Sequence, residues 1–247
     1  MIEDYNTYHF TLKENITVIL QGILIITVLG GLFYQSIFGI LFLSPIIILY
    51  RKAKKKQRIS TRKWQLNMEF RDGIISLSAA LGAGYSAEHA FEEARRDLKL
   101  LYQEESHIMQ EFSYLINQIR MNITTEKALI EFGDRTGVED IISFAEIFAT
   151  AKRTGGDLIK VIKTTSNTIS DKIEVKREII TLVTAKRYEA NIMKLIPMGI
   201  LCYLYFSSPG FLDPLYHNFF GVTVMTILLS CYLCAYLLIE KIVAIEI

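Results

Sequence analysis

Residues 17–58 read TVILQGILIITVLGGLFYQSIFGILFLSPIIILYRKAKKKQR, and how this stretch crosses or does not cross a bilayer decides the fold. A transmembrane helix needs roughly 20 apolar residues at 1.5 Å per residue to cover about 30 Å of hydrocarbon. Taken as one helix, Thr17 to Tyr50 would be about 50 Å long, beyond any ordinary mismatch. A hairpin turning near Tyr34, Gln35 and Ser36 resolves the excess, with Thr17–Tyr34 and the shorter Ser36–Tyr50 as its two arms. Arg51, Lys52, Lys54, Lys55, Lys56 and Arg58 follow at once, then Arg62 and Lys63. Such a block resists export and is drawn to anionic headgroups, so the chain beyond it stays in the cytosol and the block anchors the membrane surface.

A second apolar pair lies near the other end. Leu195 to Phe211 and Phe219 to Ile239 are separated by Ser207-Ser208-Pro209-Gly210 and Asp213-Pro214, with no Lys or Arg in either turn. Four crossings are therefore expected. The organisation that follows is a short cytosolic segment 1–15, a transmembrane hairpin 16–50, a basic juxtamembrane segment 51–63, a cytosolic helical domain 64–194, a second hairpin 195–240 and a cytosolic tail 241–247. Residues 1–15 carry Glu3, Asp4 and Glu14 against Lys13, unlike the basic opening of a signal peptide, so the first hairpin is expected to stay in the protein. The fold class is an all-α membrane protein: a cytosolic antiparallel helical bundle between two transmembrane helical hairpins.

From Trp64 onward apolar residues recur every three or four positions. Leu66, Phe70, Ile74, Leu77 and Leu81 make one stripe, and Ile108, Phe112, Leu115 and Ile119 another. Three breakers share one form: Gly84-Tyr85-Ser86, Asn122-Ile123-Thr124 and Gly155-Gly156-Asp157. In each, a residue tolerant of the left-handed region closes a helix, and two positions on a hydroxyl or carboxylate can cap the next. Glu88 and Glu126 then put negative charge into the first turn, where the helix dipole favours it. With a stop at Gly137 and a polar patch at Tyr102–Glu105, about six helices of 11 to 20 residues are expected between residues 64 and 189, the last starting near Asp157 and running long toward the membrane, and short corners make them antiparallel. That stretch holds 16 Lys and Arg against 20 Asp and Glu, a net charge of −4, which does not suit nucleic acid.

Little chemistry is written into the chain. Thr154 to Lys160 would put Asp157 where a phosphate should sit, so it is no nucleotide loop. His9, His89, His107 and His217 are scattered, and Cys202, Cys231 and Cys234 sit in apolar spans without a third ligand. Adjacent acids such as Glu92 and Glu93 diverge by about 100° on a helix and do not converge on a substrate. Lys194, one turn inside the third crossing, is expected to snorkel to the interface. No cofactor or metal is expected. A membrane-embedded enzyme would need paired acids near the bilayer, where only Asp213 comes close, and a transporter would need broken helices and a polar pathway.

The runs Leu77–Phe91, Asn122–Leu129 and above all Ala151-Lys152-Arg153-Thr154-Gly155-Gly156-Asp157-Leu158 resemble the type II secretion F domain of inner-membrane platform proteins. The flanking hairpins, with the closing Ser207–Asp213 turn, extend the resemblance to the TadB-type branch over nearly the whole chain. Asn122 stands where the family usually has Gly, and a single domain copy stands where other branches have two. The resemblance implies a platform without activity of its own in the bacterial inner membrane. Such a platform is a homo- or hetero-oligomer with a TadC-like sister subunit. It couples a hexameric, TadA-like secretion ATPase to the extraction of pilin from the lipid bilayer and its addition to a filament.

Overall fold

The computed structural model describes residues 4–154, 157–208, 210–216 and 218–243. They are helical throughout, with no strand among them. The helices are α1 (Leu12–Tyr34), α2 (Ile37–Phe42), α3 (Pro45–Gly82), α4 (Ala87–Leu98), α5 (His107–Arg120), α6 (Thr125–Thr136), α7 (Glu139–Thr154), α8 (Leu158–Ser207), α9 (Asp213–Tyr216) and α10 (Phe219–Val243).

Three helices are long and apolar enough to cross a membrane: α1, α8 and α10, the last over Phe219–Ile242. The sequence suggested four. The difference lies in Ser36–Tyr50, which forms no single helix but α2, a turn at Leu43-Ser44 and the first turns of α3. Pro45 explains the break. It lacks an N–H and disfavours helical backbone at Ser44, yet is well suited to open a helix, and it stands as the first residue of α3. In the helical region the long last helix is as expected, and the departure is α3, which begins at Pro45 rather than near Trp64. α4 to α7 have 12, 14, 12 and 16 residues, but α3 runs for 38 and α8 for 50, with Pro197 inside it.

The chain divides into two compact units. The first combines the residues up to His9 with Lys55–Val175, and the second combines Phe10–Lys54 with the residues from Lys176 onward.

The first unit is centred on a chain of phenylalanines drawn from five helices. Phe132 meets Phe70 edge-on at 5.9 Å, Phe70 meets Phe144 at 5.5 Å, and Phe91 meets Phe112 at 5.6 Å, with Phe148 tilted between Phe144 and Phe91. Edge-to-face geometry adds about 0.5–1.5 kcal/mol per pair beyond burial. Gly73 permits this spacing, since a Cβ there would stand 2.8 Å from the ring tip of Phe112. The apolar stripes of the sequence supply this core: Leu66, Phe70, Ile74 and Leu77 are buried on α3, and Ile108, Phe112 and Leu115 on α5.

The second unit has its own apolar cluster, which includes Ile26, Leu29 and Phe33 of α1, Leu43, and Met225 and Leu229 of α10. Several of its polar side chains bond within the unit. Tyr50 donates to Gln21 Oε1 at 3.2 Å, Tyr34 shares a hydrogen bond with Thr226 at 3.0 Å, and Tyr216 donates to the Leu32 carbonyl at 2.7 Å. Lys194, expected to reach toward the membrane interface, has a partner on another helix. Its ammonium pairs with Glu240 and lies 4.6 Å from the Tyr236 ring centre, while Tyr232 donates to its carbonyl at 2.9 Å.

Candidate functional site

Two polar constellations stand at opposite ends of the first unit's helices. One is formed by the interhelical corners. Gly84 takes φ 92° after α3, and Ser86 caps α4, its Oγ accepting the His89 N–H at 3.4 Å. Asn122 takes φ 63° after α5, and Thr124 is the N-cap residue of α6 in extended backbone, without a side-chain cap bond. Asp157 caps α8, its Oδ1 accepting the Lys160 N–H at 3.0 Å. Gly155 and Gly156, the centre of the third corner, lie outside the described residues.

Lys152, in the last turn of α7, joins these corners. Its ammonium stands 3.2 Å from Glu126 and 3.7 Å from Glu88, the acids in the first turns of α6 and α4. Arg120 at the end of α5 adds a 2.8 Å pair to Glu92 of α4. The carboxyl of Glu88 is held below its ordinary pKa, first by its own backbone amide and then by Lys152, and that of Glu92 by Arg120. One cation therefore ties the entrances of two helices to the exit of a third.

The other constellation lies at the end where α3 enters and gathers around the first residues of the chain. Tyr5 is only 2% exposed, with its ring edge-on to His107 at 5.5 Å and the Arg62 guanidinium 5.1 Å above it. Burial, and then Glu111, push its hydroxyl up from the ordinary tyrosine pKa. Glu111 is itself buried and takes a two-pronged pair from Arg135, at 2.9 and 2.5 Å. Burial opposes the charge on Arg135, but Glu111 and Glu131 outweigh it and raise the guanidinium pKa. Asn6 donates to the Arg135 carbonyl at 3.1 Å, and Lys63 donates to Asn6 Oδ1 at 2.6 Å and to the Gly137 carbonyl at 3.2 Å. Glu69 completes the end by accepting the Ile108 N–H at 2.9 Å, capping α5 where Ser106 makes no side-chain cap bond. Residues 4–9 are thus a strap across the helices. Beside it, buried Asp140 takes Asn67 at 2.7 Å and Lys172 of α8 at 2.6 Å, and Asp140 raises the Lys172 pKa.

Arg51, Lys52, Lys56 and Arg58 are exposed along α3, and Lys54 and Lys55 are half-buried, with Lys54 5.9 Å from the Tyr50 ring centre. Arg62 and Lys63, which the sequence grouped with this block, instead hold the strap. His9, His89 and His107 do not converge, and His217 lies outside the described residues. Among the described residues no three His, Cys, Asp or Glu side chains gather as a metal site would require. The strap was missed in the sequence: Tyr5, Tyr8 and Phe10 in an otherwise polar segment were the available signal. Compared with known protein families, curated proteins and solved structures, the chain matches none.

Proposed function

We propose that this chain is an inner-membrane platform subunit of a Tad-type pilus or related secretion machine, which passes the motion of a cytosolic hexameric ATPase to pilin subunits in the bilayer. The observation that carries the reading is the burial of Tyr5 in the core to which the chain returns at Lys55. A chain that leaves a folded unit at His9 and re-enters it at Lys55 begins and ends on one side of any membrane crossed between. α1 is long and apolar enough to cross. Its return must then run through residues 36–50, which supports a hairpin with a break at Pro45. The basic residues 51–58 favour the cytosolic side for the unit. The second half follows the same logic, with the apolar part of α8 and α10 as the other pair.

On this reading the first unit is a cytosolic helical bundle and the second a membrane body of two hairpins, in the order the F-domain resemblance implies. The resemblance rests on the three corner runs, and Lys152 of the strongest run is the residue that ties two of the corners together. A subunit that carries no nucleotide loop takes its energy from a motor that has one. Pilin and a sister platform subunit would pack on the apolar exterior of the membrane body.

Affinity purification of the tagged full chain from detergent-solubilised membranes tests this. Co-purification of a hexameric secretion ATPase and pilin is the expected result. Turnover of a substrate by the pure chain, with no ATPase or pilin recovered, would contradict it.

A further inference from the structure

The corner end of the first unit carries apolar side chains that the fold leaves uncovered. Tyr85 is 49% exposed in the first corner, Met121 is 75% and Ile123 38% in the second, and Ile159 is 44% in the first turn of α8. Corners need only small or polar residues for their backbone work, so four large apolar groups there are not explained by folding. They come from three separate corners, and Lys152 at the end of α7 pairs with Glu88 and Glu126 in the first turns after two of them.

The charges around them are unequal. The acids Glu88, Glu92 and Glu126 are occupied by Lys152 and Arg120. Lys127, Arg153, Lys160 and Lys163 are exposed and have no carboxylate partner among the described residues. Asp157 accepts the Lys160 N–H through Oδ1 and keeps its negative charge, so one acid without an ion pair stands against these four cations. The face therefore has an apolar centre and a basic rim with unspent charge.

We infer that this corner face is a docking surface for a folded protein whose own contact patch is apolar at its centre and acidic at its rim. Complementary rim charge steers encounter and fixes register, while the apolar centre supplies affinity. Two features favour a protein over an anionic bilayer. The first two corners have defined backbone, with Gly84 and Asn122 in the left-handed region and Ser86 capping α4, which suits a matching rigid surface. Four carboxylates, Glu88, Glu92, Glu126 and the exposed Asp157, stand among the apolar groups, and seating those groups in a bilayer would carry Asp157 and the ion pairs of the other three toward anionic headgroups. The inference rests on the platform reading for the partner's identity, which makes the acidic partner the motor.

The test uses the purified full chain in nanodiscs and the purified hexameric secretion ATPase of the same organism. The double variant Lys160→Glu with Lys163→Glu is expected to weaken binding at least about tenfold at ~0.1 M salt, with the difference shrinking at ~0.5 M. Both residues lie in the first two turns of α8, where acid is compatible with the helix dipole, so folding is retained. Ile123→Ser should weaken binding by a similar factor without the salt dependence. Leu100→Ser, at the 86% exposed residue of the α4–α5 loop, is the control and should leave binding unchanged. Binding by the parent chain that neither corner variant weakens would overturn the corner face while leaving the platform reading standing. Absence of any binding by the parent chain would overturn both. Salt-sensitive binding of the parent chain to phosphatidylglycerol vesicles that the double variant abolishes, without effect on the ATPase, would reassign the face to lipid.

Discussion

At the strap end of the first unit, charge is buried: Glu111 is 3% exposed, its Arg135 partner is mostly covered, and Tyr5 seals them. At the corner end the same kinds of residue stay in water, with Lys152 about one-third exposed between Glu88 and Glu126. A buried pair owes its cost to desolvation and its strength to low dielectric, so it holds only while every partner is present. An exposed pair gains little and loses little. The two ends therefore teach different things: the strap end is where the unit is held together, and the corner end is where it can afford to meet something else.

The largest effect should come from the strap. Tyr5→Ala removes a fully packed aromatic and opens the Glu111 pair to water, and should destabilise the first unit by about 3–5 kcal/mol, read by thermal unfolding of the solubilised chain. Arg135→Met keeps the aliphatic bulk but strands the Glu111 carboxylate, at a cost of about 3 kcal/mol. Adding Glu111→Leu to it should recover most of that loss, because the isolated charge is then gone. A loss no larger for Arg135→Met than for an exposed pair would break the contrast between the ends.

The pH response sharpens it. Burial holds the His107 imidazole below its ordinary pKa, so the unfolded chain takes up the proton first. Stability is then full above the unfolded value of about 6.5 and falls as pH drops from there toward the folded value. His107→Phe should flatten the melting temperature across this window. The corner acids Glu88 and Glu92, whose pKa values are lowered, lose their contribution only at more acidic pH, as it falls below about 4.5. The smallest effect is Lys152→Ala, about 1 kcal/mol or less and diminished by salt.

Periodicity made the helices readable. Stripes such as Leu66-Phe70-Ile74-Leu77 are set by one neighbouring face, and the left-handed sites at Gly84, Asn122 and Gly137 are local backbone requirements. Contacts between distant residues were not readable. Nothing near Tyr5 announces that Glu111 and Arg135 lie more than a hundred residues away, and a basic run gives no sign of which of its members, here Arg62 and Lys63, turn inward. α8 runs long from Asp157 into the apolar stretch, as its unbroken pattern suggested, whereas α3 begins well before its expected start at Trp64 because nothing between Pro45 and Trp64 stops it: apolar helix simply continues into polar helix. Lys194 looked solitary because its partner Glu240 is on another helix.

The central claim is that the chain leaves the first unit at His9, crosses the membrane twice and returns to the same side by Lys55. Single cysteines at Asn6, Ser36 and Glu105, in a chain with Cys202, Cys231 and Cys234 replaced, can be probed in intact cells with a membrane-impermeant maleimide. Labelling of the Ser36 site alone, with the other two reacting only after permeabilisation, is the result this account predicts. Labelling of the Glu105 site in intact cells, or of the Asn6 and Ser36 sites together, would contradict it.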